Sequence, residues 1–138
     1  MMTKDVLITI KGLQMALDDS EGLEIMTNGT YYKKNGKHYV LYEEVLEDQK
    51  VSSMIKINAG KVEITKKGPA RVQMMFEAGK KNTSIYATPF GQIEIGVYAE
   101  QIRVNETDDR LELNMQYDLE MNSEHVSDSQ VSVTVVPR

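Results

Sequence analysis

The chain has 138 residues, 41% of them hydrophobic, and 16 basic against 21 acidic side chains give it a formal charge of −5. That length suits a single domain spanning 1–138, and the acidic balance disfavours non-specific attraction to phosphate or anionic lipid, so neither nucleic acid nor a membrane is an expected partner. The absence of cysteine excludes disulfides, thiolate metal ligands and a cysteine nucleophile, and fits a reducing cytoplasm.

In chain order, the first predicted strand covers 5–17. Val6, Ile8 and Ile10 share one parity, Leu13, Met15 and Leu17 have the other, and Gly12 stands at the switch. One inserted residue with a bend would accommodate that change of face. The acidic stretch Asp18-Asp19-Ser20-Glu21-Gly22-Leu23 reads as a solvated turn, because a calcium loop starting at Asp18 needs glycine where Leu23 stands. Strands at 22–28 and 30–34 flank Asn28-Gly29, a turn or a bulge, and Asn35-Gly36 leads into a strand at 37–46. Leu41, Val45 and Leu46 leave room for one helical turn near 42–50.

Further strands follow at 51–58, 61–66, 70–78 and 82–88, separated by Asn58-Ala59-Gly60, Lys67-Gly68-Pro69 and Gly79 to Asn82. The segment 91–105 changes face once more, from Ile93, Ile95, Val97 and Ala99 to Ile102 and Val104. The clearest alternation, at 109–121, sets Leu111, Leu113, Met115, Tyr117, Leu119 and Met121 against Glu112, Asn114, Gln116, Asp118 and Glu120. A further strand fits 125–136. Turns this short between strands make the neighbours antiparallel. About ten twisted strands rarely stay in one open sheet, so an up-and-down barrel is expected, with a two-sheet sandwich as its competitor.

The chemistry-bearing residues are few. His38 and His125 are the two histidines; without a His pair or cysteine, no metal site and no cofactor are expected. Nucleophile-elbow and phosphate-loop motifs are absent, and no catalytic residue is assigned. Glu44 shares parity with His38, Val40 and Tyr42, which makes it a buried or rim carboxylate if that face is interior, and a solvated strand end otherwise. An enzyme would need Glu44, His38 and Tyr86 to converge. Lys66, Lys67 and Arg71 flank one hairpin and Lys80 and Lys81 the next. A strand of about 30 Å separates the two clusters, which argues against a single nucleic-acid groove. Nine methionines, among them Met74 and Met115 on apolar faces, serve equally to fill a core or to line an adaptable pocket.

At Lys66-Lys67-Gly68, Met74-Met75-Phe76-Glu77, Tyr86-Ala87-Thr88-Pro89-Phe90-Gly91 and Tyr117-Asp118-Leu119, the chain resembles the YwiB-like family of bacterial β-barrel proteins along nearly its whole length. The resemblance implies an all-β fold, an antiparallel meander closed into a calycin or lipocalin-like barrel of about 8–10 strands. It also implies a bacterial cytoplasmic setting, and no reaction. Lys66 stands where the family pattern has arginine and Phe90 where it has tyrosine, so the first turn offers a point charge rather than a bidentate fork.

Two readings follow. In the first, the barrel interior or mouth takes a small apolar ligand touched by Tyr42, Glu44, Met74, Phe76, Tyr86, Met115 and Tyr117, with Tyr42 or Glu44 as polar handles. In the second, the barrel is filled, and the chain acts through its outer surface or a homodimer interface.

Overall fold

The computed structural model describes residues 4–12, 24–46, 48–68, 71–88 and 90–138. These form ten strands and no helix: β1 (Asp5–Lys11), β2 (Glu24–Lys34), β3 (Lys37–Leu46), β4 (Gln49–Asn58), β5 (Lys61–Lys67), β6 (Arg71–Glu77), β7 (Lys81–Thr88), β8 (Gly91–Thr107), β9 (Arg110–Met121) and β10 (Glu124–Pro137). All strand pairs are antiparallel, in the order β6-β5-β4-β3-β2-β1-β10-β9-β8-β7. First meets last, because Val6 pairs with Pro137 and Ile10 with Val133. The two ends of that order, β6 and β7, are joined by their own tight turn. Bridges from Glu77 to Lys80 and from Ala78 to Ala99, and a 2.8 Å bond from the Gly79 amide to the Ala99 carbonyl, bring β6 against β7 and β8. The result is a nearly closed barrel rather than a sandwich.

Local chemistry sets the turns. Asn35 and Gly36 both have positive φ (53° and 78°), as do Asn122 and Ser123 (50° and 69°). Left-handed backbone at two successive turn residues matches the right-handed twist of the flanking strands. Asn28-Gly29, by contrast, is no turn, because β2 runs straight through it. A Cβ on Gly29 would lie 2.3 Å from both Ile8 Cδ1 and the Leu41 carbonyl oxygen, so this glycine lets three strands approach closely. Residues 22–28 and 30–34 are therefore not two strands, and from Glu24 they form one. The helical turn near 42–50 is also corrected: β3 extends to Leu46 and β4 begins at Gln49.

The change of face in β8 is real, a register shift between Ala99 and Gln101. Within the described residues β1 runs to Lys11, and Gly12 takes φ 79°. Leu13, Met15, Leu17 and the acidic stretch Asp18 to Leu23 lie outside the described residues. So do Pro69, Ala70 and Pro89.

Register lines up the interior in rows. Lys33, His38, Ile57, Val62 and Phe76 form one row across β2 to β6, Tyr31, Val40, Ile55, Ile64 and Met74 the next, and Gly29, Tyr42, Ser53, Lys66 and Val72 a third. On the other half, Leu111, Leu113, Met115, Tyr117 and Leu119 of β9 face inward with Val131, Val133 and Val135 of β10. These residues belong to one continuous apolar core. The rings of Phe76 and Tyr117 meet edge to face at 5.0 Å, a geometry favoured by the aromatic quadrupole.

Candidate functional site: two polar clusters at the barrel ends

One end of the barrel carries the β3–β4, β5–β6 and β7–β8 connections. There Tyr42, Glu44, Ser53 and Lys66 converge from three adjacent strands, because β3 pairs Tyr42 with Ser53 and β4 pairs Ser53 with Lys66. Lys66 Nζ sits 3.2 Å from Glu44 Oε1, both side chains mostly buried, and the Ser53 hydroxyl donates to the same oxygen at 3.4 Å. The Tyr42 hydroxyl is buried and makes no hydrogen bond to any described residue, on a residue only 3% exposed. Burial, and after it the Glu44 carboxylate, holds this phenol well above its ordinary range; the Ser53 hydroxyl lies near enough to pull the other way but outside good hydrogen-bond geometry. The apolar surroundings include Val51 and Val72. Tyr86, half-buried against the core, lies at the same end on β7.

The remaining residues proposed from sequence, Met74, Phe76, Met115 and Tyr117, sit in the core at no more than 2% exposure. Their contacts are with other core side chains. Two clefts, of about 420 and 360 Å³, open on outer faces of the sheet, the larger of them reaching Met115 and Val131.

The opposite end holds a second polar cluster. Tyr31 and His38 share a 2.8 Å hydrogen bond between the phenol oxygen and Nδ1. Across the barrel end, Glu106 of β8 lies 3.8 Å from His38 Nε2 and 3.0 Å from Lys33 Nζ. Desolvation holds the His38 pKa below its ordinary 6.5, outweighing the Glu106 charge, which raises it, and the Lys33 charge, which lowers it. Folding therefore favours the neutral ring. The stability gained is complete above the unfolded pKa of about 6.5 and drains away as pH falls through the lower folded value. Thermal melts from pH 7.5 to 5 should show the wild type losing stability below about pH 6.5 and His38→Gln losing less; parallel profiles would contradict this account. His38 and Glu44 are six residues apart on β3, about 20 Å, and the structure does not bring Glu44, His38 and Tyr86 together.

A third constellation lies on the outer face of β9 and β10. Donor atoms of Asp118, His125 and Asp128 fall within 4.8 Å of one another, a nitrogen-and-oxygen set of the kind a divalent ion takes. Asp118 and Asp128 are directly opposite in register, and the shift between His125 and Ser127 turns His125 onto their face. The hydrogen bond from His125 to Asp128, 2.8 Å long, raises the histidine's pKa and lowers that of Asp128. Asp118 is raised, chiefly by its hydrogen bond with Asp128. Alternation of two places His125 and Asp128 on opposite faces, so only the bulge reveals this cluster. Ser53 and Lys66 were findable, since both interrupt apolar faces: Val51, Ile55 and Ile57 around the first, Val62 and Ile64 before the second.

Fold and clusters together define a small all-β protein, a ten-stranded antiparallel barrel that is nearly closed, densely filled, and polar at both ends. The chain belongs to the family described as Domain of unknown function (DUF1934), whose model matches residues 8–133. It is 27% identical over 131 residues to the "Uncharacterized beta-barrel protein YwiB" of Bacillus subtilis (strain 168), covering 94% of this chain and 89% of that one. The crystal structure of the ywiB protein from Bacillus subtilis superposes with a TM-score of 0.81 at 21% identity, over 98% of this chain and 92% of that one. At that identity the likeness speaks for the fold.

Proposed function

We propose that the chain is a small-molecule binding protein whose site is the barrel mouth at Tyr42, Glu44, Ser53 and Lys66. The observation that carries this reading is the Tyr42 hydroxyl, buried and without a hydrogen bond of good geometry, the Ser53 hydroxyl being its nearby polar neighbour. An unpaired buried hydroxyl costs about 1–3 kcal/mol, which a ligand's polar atom would recover. Around it, Val51, Val72 and the half-buried Tyr86 suit a largely apolar molecule with one polar group. Likeness to calycins and lipocalins, which hold small ligands within such barrels, supports the reading by analogy of fold. A bacterial cytoplasmic setting accords with a chain that has no cysteine.

Native mass spectrometry of protein purified from its own host tests this. A co-purified small molecule, absent from Tyr42→Phe, is expected. Apo masses alone, with no thermal shift across a lipid and metabolite panel, would overturn the reading. The filled core favours a second reading, in which the chain acts through its outer surface, with an apolar ligand excluded from the interior.

A further inference from the structure

The outer face of β2 to β6 has a pattern that register makes legible. Four rows cross it: Lys34, Lys37, Asn58, Lys61 and Glu77; Tyr32, Tyr39, Lys56, Glu63 and Met75; Thr30, Leu41, Met54, Thr65 and Gln73; and Glu43, Ser52, Lys67 and Arg71. Each acidic residue in these rows is held by a lysine. Glu43 pairs with Lys50, Glu63 with Lys56 and Glu77 with Lys80. Lys34, Lys37, Lys61, Lys67 and Arg71 have no acidic partner among the described residues. Outside this face Lys33 is matched to Glu106, Lys66 to Glu44, Lys81 to Glu120 and Arg110 to Glu112, and the cations there without an acidic partner among the described residues, Lys4, Lys11, Arg103 and Arg138, lie outside these rows. A chain of net charge −5 thus keeps one face of about 20 by 20 Å with five uncompensated positive charges.

Aromatic rings stand inside this frame. Tyr32, 42% exposed, stacks on Tyr39 with centroids 4.6 Å apart and planes 10° from parallel. Lys56 Nζ lies 5.7 Å from the centre of the Tyr39 ring. Beside the stack, a cleft of about 360 Å³ is lined by Tyr39, Leu41, Met54, Lys56, Lys67 and Arg71, among others. Free cations bind phosphates, an exposed tyrosine offers a π-face to unpaired bases, and a floor of leucine and methionine packs against the face of a base.

We propose that this face binds single-stranded nucleic acid, the backbone running along the five cations and the bases meeting Tyr32 and the cleft. A duplex, whose bases are already stacked, would engage the cations without the tyrosines. The cleft shares Ser53 with the barrel mouth but opens on the outer face of the sheet, and the proposal does not depend on the reading given for the mouth.

Fluorescence anisotropy of a labelled 12-nucleotide oligo(U) tests the assignment on the intact chain. Saturable binding is expected at low salt, weakening on a log–log plot with a slope of about −3.5 for five phosphates. Lys67→Glu/Arg71→Glu, both exposed positions, should weaken binding at least roughly tenfold, and Tyr32→Ser roughly fivefold or more, each with an unchanged melting curve. Absence of binding at low salt would overturn the proposal. Heparin competing as well as the oligonucleotide, together with Tyr32→Ser binding like wild type, would also overturn it, because the face would then read charge alone.

Discussion

Removal of residues 124–138 is expected to abolish the cooperative thermal transition. β10 lies between β1 and β9 in the sheet order, so its loss reopens the barrel at the seam that unites the two chain ends. It also takes Val131, Val133 and Val135 out of the core, each at most 2% exposed. Buried valines contribute about 1.5–3 kcal/mol apiece, and a domain this size holds a net stability of only about 5–15 kcal/mol. The two edges left unpaired would template aggregation. Circular dichroism on heating should show a broad, shallow change or precipitation. A sharp, reversible transition in the truncated chain would mean that the sheet does not depend on β10 for closure.

Phe76→Ala should cost about 3–5 kcal/mol, the range for deleting a buried ring whose neighbours cannot fill the space. Phe76 is fully buried on β6 and rests edge-on against Tyr117 of β9, so the contact ties opposite halves of the barrel together. Its removal opens a cavity at the weakest seam, where β6 and β7 are joined by isolated bridges. A fall in melting temperature of about 10–20 °C is expected. A change of a degree or two, with the slope of a denaturant titration preserved, would show that the interior repacks, and would contradict a core filled to native density.

Much of the barrel was legible because period two is unambiguous where one face is dry. Leu111 to Met121 and Val51 to Ile57 announced their strands, and the shift from Ala99 to Ile102 announced the bulge. Asn28-Gly29 misled because asparagine-glycine is a turn signal by conformational preference, whereas here glycine is needed for the close approach of Ile8 and Leu41. Tyr42 and Glu44 were legible from shared parity. Ser53 and Lys66 stand out as breaks in apolar faces, but that they meet Tyr42 and Glu44 requires register, which local pattern does not encode. The same holds for the basic face. Spacing along the chain groups Lys66 with Lys67 and Arg71, yet Lys66 points inward to Glu44, while Lys34, Lys37 and Lys61 join Lys67 and Arg71 outside. The gathering of five unpaired cations on one side of the sheet distinguishes that face.

One hydroxyl, that of Tyr42, carries the proposed ligand site, and calorimetric unfolding of apo wild type and Tyr42→Phe tests it directly. An unsatisfied buried phenol predicts that Tyr42→Phe is more stable, by about 1–3 kcal/mol, because the change removes a buried polar atom that no described residue satisfies with good geometry. A loss of stability of similar size would show that the hydroxyl is already satisfied within the fold, and would contradict the account.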